Sequence, residues 1–154
     1  MPGLWFEEFE DGQVFDHEWT RTITEADNRW FSLLTMNPQP LHIDAHFAAG
    51  TEFGRPLVNS LFTLGLMVGM SVNDTTLRTT VANLGMTDVT FPHPLFEGDT
   101  IRVRTTVLGK RESAKRPEAG IVTFRHECFN QDDVLCGSCE RAGLMKKRPE
   151  GGSA

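Results

Sequence analysis

A chain of 154 residues with a net charge of −6 has the size of one globular domain and enough residues to bury a hydrophobic core. The acidic balance argues against general binding to nucleic acid or to anionic membranes, since both favour a basic protein surface. No apolar run reaches the roughly 20 residues that a membrane-spanning helix needs. We therefore expect one domain over residues 1–148 and a disordered, glycine-rich tail over residues 149–154.

The first third of the chain predicts a strand, a helix and a loop. Apolar and polar residues partly alternate over residues 12–22, which is typical of a strand. Thr24 and Asp27 have the spacing of a capping box, so a helix is expected to begin there. Prolines within residues 36–43 disfavour a helix, and we expect a loop in this stretch.

Two further helices are expected before the second half of the chain. Asp44 is suited to the N-cap of a short helix that ends near Ala49. Pro56 is suited to the first turn of a long helix from Leu57 to about Val72. That helix is apolar nearly all round, so we expect it to lie in the middle of the protein.

The second half of the chain consists mostly of predicted strands. They are expected at residues 79–90, 100–110, 120–130 and 134–145. Residues 131–133 predict a tight hairpin connection between the last two. One buried helix followed by consecutive strands indicates an α+β fold with an antiparallel sheet.

Three cysteines lie close together near the end of the chain. Cys136 and Cys139 have the spacing of half a redox or zinc site, but no second pair is present to complete a zinc site. We therefore expect these two residues and Cys128 to pack in strands, and we expect no bound metal. An odd number of cysteines without a visible export signal favours the reducing cytoplasm.

Three separated motifs carry a family resemblance. Residues 37–44 read Asn-Pro-Gln-Pro-Leu-His-Ile-Asp, residues 53–60 read Phe-Gly-Arg-Pro-Leu-Val-Asn-Ser, and residues 91–99 read Phe-Pro-His-Pro-Leu-Phe-Glu-Gly-Asp. In this order and spacing they resemble the MaoC-like, or R-specific, enoyl-CoA hydratases, from about Thr22 to Met145. The resemblance implies a hot-dog fold, in which an antiparallel sheet wraps around the long helix. It also implies a homodimer or larger homo-oligomer that hydrates acyl-CoA substrates without a metal or redox cofactor.

The resemblance assigns His42 and Asn37 to catalysis. His42 stands at the position of the family's catalytic histidine, which exchanges a proton with water. Asn37 stands where the family has its catalytic aspartate. A carboxamide cannot exchange a proton at useful pH, so we expect Asn37 to orient water or substrate. A turn residue before proline is the alternative interpretation of Asn37.

Four further residues are expected to bind the substrate. The family's oxyanion site falls at Asn59 and Ser60, where a backbone N–H would bind the thioester oxygen. The side chain of Asn59 would add a donor, and Gln39 replaces a family asparagine. These amides suggest a short branched or dicarboxylic acyl chain such as mesaconyl or itaconyl, with Arg55 or Arg78 binding its carboxylate.

Two other functions stay open from the sequence. A hot-dog thioesterase would act on the same ligand, but the predicted long helix lacks the carboxylate that such enzymes carry there. A binding subunit without activity is the second alternative, because Asn37 replaces the family aspartate. His93 could line the acyl pocket, although we favour a place outside it.

Overall fold

The computed structural model describes residues 3–149 of the chain. Its strands are β1 Val14–Thr22, β2 Thr80–Thr90, β3 Thr100–Glu112, β4 Ala119–Phe129 and β5 Leu135–Lys146. They form one antiparallel sheet in the order β1-β3-β4-β5-β2, so β1 and β2 are its edges. The predicted antiparallel sheet is confirmed, with each strand close to its expected bounds. Most of the predicted tail lies outside the described residues.

The helices are α1 Glu25–Leu34, α2 Pro40–Ile43, α3 Ala45–Ala49 and α4 Ser60–Thr75. The predicted capping box is confirmed, since Thr24 and Asp27 exchange side-chain and backbone hydrogen bonds of 3.2 and 2.9 Å. Asp44 caps α3 as expected, and its carboxylate accepts the Phe47 N–H at 3.0 Å. No helix in the described part of the chain is long and apolar enough to cross a membrane.

The long helix begins later than predicted, at Ser60 rather than Leu57. Leu57 pairs with Phe96 in an isolated antiparallel bridge. The Val58 N–H donates to the Leu95 carbonyl at 2.9 Å. Residues 57–58 are therefore held against the segment before β3, and the helix forms only after them.

The loop predicted over residues 36–43 contains a short helix, α2, that was not expected from the sequence. Pro40 takes its first helical position, where the missing N–H of proline removes no helical hydrogen bond. This short helix ends in His42 and Ile43, so it fixes the direction in which the histidine leaves the backbone.

The hydrophobic core lies between α4 and the sheet. Met67 of α4 is fully buried there against apolar residues of β3, β4 and β5. The three cysteines belong to this core and are unpaired thiols, as the prediction of packed strand positions requires. Burial raises the pKa of the Cys128 thiol to about 12, which makes it a poor nucleophile at neutral pH.

A chain of hydrogen bonds between polar side chains runs through the protein interior. Arg141 Nε donates to His126 Nε2 at 3.1 Å, so the His126 proton is on Nδ1 and is donated to Thr105 at 2.8 Å. Thr105 in turn reaches His17 Nε2 at 2.8 Å, and His17 Nδ1 reaches the Asp74 carboxylate at 2.7 Å. Burial and the Arg141 charge lower the pKa of His126 to about 3.

Acid is expected to destabilise the protein through His126. Between pH 6.5 and about pH 3 the unfolded chain binds a proton at this histidine that the folded chain does not bind. The free energy of unfolding should therefore fall by up to about 1.4 kcal/mol per pH unit from this group alone. We expect the stability difference between wild type and His126→Gln, measured by urea unfolding, to shrink on acidification. A difference that stays constant down to about pH 4 would contradict this assignment.

Candidate functional site

The orientation of the His42 ring is fixed by the backbone of the segment before α4. Its Nδ1 lies 2.7 Å from the Leu57 carbonyl oxygen. A carbonyl only accepts, so Nδ1 carries the hydrogen and the neutral ring presents a lone pair at Nε2. His42 is half-buried, and its Nε2 makes no hydrogen bond to any residue that the structure describes. The geometry leaves Nε2 free to take a proton from a bound molecule.

Asn28 joins the histidine segment to the start of α4. This α1 residue is fully buried. Its Nδ2 lies 3.1 Å from the carbonyl oxygens of both His42 and Leu57. Its Oδ1 accepts the Asn59 N–H at 2.9 Å, and Glu97 Oε1 lies 3.2 Å from Nδ2. One amide side chain thus fixes the distance between the His42 backbone and the N-terminus of α4.

The first turn of α4 presents an unbonded backbone donor. Ser60, the first residue of the helix, is exposed, and its N–H has no acceptor among the described residues. A helix N-terminus also carries a partial positive charge. The Ser60 N–H is therefore placed to bind an anionic or strongly polarised oxygen.

The Asn59 side chain serves the fold, contrary to the predicted contact with substrate. Its Oδ1 caps α4 by accepting the Leu61 N–H at 3.1 Å. Its Nδ2 donates to Ser32 Oγ at 3.2 Å, and the residue is only 3% exposed. The predicted donor is occupied inside the protein, so the contribution of Asn59 is to position Ser60.

A cleft of about 220 Å³ lies beside the N-terminus of α4. Apolar side chains form most of its walls: Phe53, Leu57, Val58, Phe91 and Leu95. Ser60, Thr63 and His93 contribute polar atoms, and no arginine or lysine of the described residues lines it. His93 is exposed and lines the cleft, a place that was not favoured from the sequence.

Asn37 is built into the turn that precedes α2. Its side-chain oxygen accepts the Gln39 N–H at 3.1 Å, which uses one acceptor site of the amide within the loop. The Asn37 NH₂ group donates to none of the described residues, so a donor is available on this half-buried residue. Gln39 is exposed, and its carbonyl accepts the His42 N–H at 3.0 Å.

The two candidate arginines lie in different places. Arg55 is exposed, and its guanidinium carbon lies 4.0 Å above the Phe96 ring. Phe96 contacts Phe53 of the cleft wall with ring centroids 6.4 Å apart, so Arg55 is beside the cleft but not in it. Arg78 follows the C-terminal end of α4, roughly 20 Å from Ser60 at ~1.5 Å per helical residue. Arg78 therefore does not belong to this site.

The family model described as a MaoC like domain matches residues 8–127. Beta-methylmalyl-CoA dehydratase from Chloroflexus aurantiacus is 31% identical over 147 residues, with 96% of this chain covered. Mesaconyl-CoA hydratase from Cereibacter sphaeroides is 29% identical over 146 residues, with 95% covered. The chain spans only 41% and 42% of the length of these two relatives.

A solved structure from Mycobacterium tuberculosis, described as a double hotdog fold, is similar to this chain with a TM-score of 0.85. The match is 23% identical and covers 99% of this chain and 47% of that one. The predicted hot-dog arrangement is thereby confirmed, with α4 as the helix on which the sheet packs.

Proposed function

The chain belongs to the MaoC-like dehydratase family, and we propose that it catalyses the reversible hydration of a 2-enoyl-CoA. The observation that carries this proposal is the hydrogen bond from His42 to the Leu57 carbonyl, three residues before α4 begins; Leu57 lines the cleft, and His42 itself is not one of the lining residues. The imidazole has its proton on Nδ1, and its Nε2 bonds to none of the described residues. The Ser60 N–H, which also lacks an acceptor among these residues, lies at the edge of an apolar cleft. Asn28 holds the two segments together.

In the proposed reaction, the thioester oxygen accepts a hydrogen bond from the Ser60 N–H. His42 Nε2 takes a proton from water as the water oxygen forms a bond to C3 of the enoyl chain. The electron pair of the C2–C3 double bond moves towards the thioester, and the developing charge on its oxygen is stabilised by the helix N-terminus. The proton on the imidazolium is then delivered to C2, which completes the addition of one water.

Asn37 cannot act as a second acid, because a carboxamide does not titrate at neutral pH. We assign it the role of a donor that orients the attacking water or the substrate carbonyl through its free NH₂ group. His42 then carries the proton in both steps. This requires both transfers on the same face of the alkene, which is the geometry that a single catalytic base permits.

The proposed substrates have a short, branched or dicarboxylic acyl chain such as mesaconyl or itaconyl. A cleft of about 220 Å³ has room for roughly seven groups of the size of water, which suits a chain of four or five carbons. The names of the two relatives point to the same class of acyl-CoA. Rates on crotonyl-, mesaconyl- and itaconyl-CoA test this choice, and turnover of crotonyl-CoA alone would contradict it.

Arg55 is proposed to bind an anionic group of the substrate outside the cleft. Its place over Phe96 favours the phosphates of CoA over the acyl carboxylate, since it does not line the cleft. An exposed guanidinium stacked on a ring keeps its N–H groups free for such a contact. Contact between Arg55 and the acyl carboxylate stays a prediction.

A binding subunit without activity is the second candidate, and the observation in its favour is the Asn37 side chain. Its oxygen is already used by the Gln39 N–H, as expected of a turn residue. The thioesterase alternative loses support, because the one carboxylate on α4, Asp74, lies in its last turn and bonds to His17. Binding of an enoyl-CoA without turnover would favour the binding subunit.

We further propose that two copies of the chain pair through β2. This edge strand is exposed along nearly its whole length and carries the exposed apolar side chains Val81, Leu84 and Val89. Light scattering after size exclusion should give a dimer for wild type and a monomer for Leu84→Glu. Leu108→Glu, an exposed leucine on a strand inside the sheet, is the matched control and should stay dimeric. A dimeric Leu84→Glu variant would contradict this interface.

A further inference from the structure

Thr63 stands out among the polar residues on the buried face of α4. That face consists of Thr63, Met67, Ser71 and Thr75. The Ser71 hydroxyl donates to the Val68 carbonyl at 2.7 Å, and the Thr75 hydroxyl donates to the Ser71 carbonyl at 2.5 Å. Thr63 is 2% exposed, yet its hydroxyl makes no hydrogen bond to any described residue. Thr63 lines the cleft and its hydroxyl oxygen is not a fully buried atom, so this hydroxyl is accessible to a molecule bound in the cleft.

The surroundings of Thr63 direct this hydroxyl towards the cleft. Its methyl carbon Cγ2 faces Gly137 of β5. Thr63 also lines the cleft together with Ser60, which is three residues earlier on the same helix. Because the methyl group occupies the side towards the sheet, the hydroxyl is left for the cleft.

We propose that Thr63 determines specificity by donating a hydrogen bond to a carboxylate at the far end of the acyl chain. This inference rests on the proposed hydratase function. Ser60 and Thr63 are about one helical turn apart, ~5 Å along the axis. That spacing suits a four-carbon enoyl chain with its thioester oxygen at the Ser60 N–H and its second carboxylate at Thr63.

The residues that line the cleft support this orientation of the acyl chain. Apolar side chains surround the space between the two polar groups, where the hydrocarbon part of the chain would lie. Since no arginine or lysine of the described residues lines the cleft, the carboxylate depends on hydroxyl and imidazole donors. His93 is exposed on the same cleft and is the second donor available to it.

The test compares mesaconyl-CoA with tiglyl-CoA, which has a methyl group in place of the far carboxylate. The readout is the ratio of kcat/KM for these two thioesters. Thr63→Val keeps the shape and the methyl contact with Gly137 but removes the hydroxyl, and it should lower the ratio roughly ten- to hundredfold. Thr63→Ser keeps the hydroxyl and should retain most of the wild-type ratio. Circular dichroism establishes that both variants fold.

An unchanged ratio in Thr63→Val would overturn the inference, as would wild-type turnover of tiglyl-CoA without turnover of mesaconyl-CoA. In both cases the hydratase proposal would stand, because an enoyl-CoA is still hydrated. Failure of wild type to hydrate mesaconyl-, tiglyl- and crotonyl-CoA would instead overturn the proposed function, and the role of Thr63 would fall with it.

Discussion

His42→Ala is expected to lower kcat for enoyl-CoA hydration by a factor of roughly 10² to 10⁴, the usual contribution of a general acid–base group. In our account, Nε2 of His42 carries the proton in both halves of the addition. Alanine leaves no group that can exchange a proton at that place, since Asn37 is an amide. The loss of enoyl-thioester absorbance in the ultraviolet measures the rate.

Two controls make the His42 result specific. His46→Ala removes an exposed histidine from the next helix, α3, and should leave the rate near that of wild type. Binding of the enoyl-CoA to His42→Ala, measured by calorimetry, should be close to that of wild type. Equal rates for His42→Ala and His46→Ala would show that the chemistry lies elsewhere.

Asn28→Leu is expected to impair both stability and turnover. The substitution leaves the buried Asn59 N–H and the His42 carbonyl without their partner, at about 1–3 kcal/mol for each unsatisfied group. The substitution also removes the hydrogen bonds that hold the His42 segment next to the N-terminus of α4. The position of His42 relative to Ser60 is then no longer fixed, so kcat should fall more than KM rises. Urea unfolding and steady-state kinetics on the same preparation separate the two effects.

Ser32→Ala is the matched control for Asn28. Both residues are fully buried on α1, one helical turn apart, but among the described residues the Ser32 hydroxyl makes a single hydrogen bond, which it accepts from Asn59 Nδ2. We expect Ser32→Ala to lower the free energy of unfolding less than Asn28→Leu does and to change kcat little. A full kcat for folded Asn28→Leu would show that Asn28 serves only the fold.

Asn28→Asp is expected to change the pH dependence of activity, which substitution of a purely structural residue would not do. Aspartate still accepts the Asn59 N–H, but its carboxylate would face two carbonyl oxygens and Glu97. Protonation restores one donor, so the lost activity of Asn28→Asp should partly return as the pH is lowered. Activity that falls in parallel with wild type over the same pH range would contradict the assigned role.

Local signals were sufficient for much of the fold. Thr24 with Asp27 predicted the start of α1, and Asp44 predicted the start of α3, because a cap is formed by residues next to each other in sequence. The strand predicted over residues 100–110 corresponds to β3 for a similar reason. In each case the interaction that fixes the element lies inside the predicted stretch.

The start of α4 and the role of Asn28 could not be predicted from local sequence signals. Leu57 is held out of the helix by its bridge to Phe96, which is distant in the chain. Asn28 has the helical spacing to Ser32 of a polar pair on the inward face of α1, but its partners come from three later segments. The sequence contained the weak signal of buried polar spacing and no indication of what the amide binds.

Some residues of the candidate site could likewise be predicted from the sequence, and others could not. Residue identity and the family motif predicted His42 and Ser60, and the structure brings their segments together. Neither pattern predicted that the Asn59 side chain would cap α4 or that Thr63 would face the cleft. Both depend on rotamers that neighbouring strands and helices select.

The central claim is that this site hydrates an enoyl-CoA although Asn37 replaces the family aspartate. Incubation of the wild-type protein with mesaconyl-CoA and crotonyl-CoA, followed by mass spectrometry, tests it most directly. We expect a product heavier by the mass of one water, in an amount that increases with enzyme concentration and with time. Binding of both thioesters without any such product would contradict it and would identify the chain as a binding subunit.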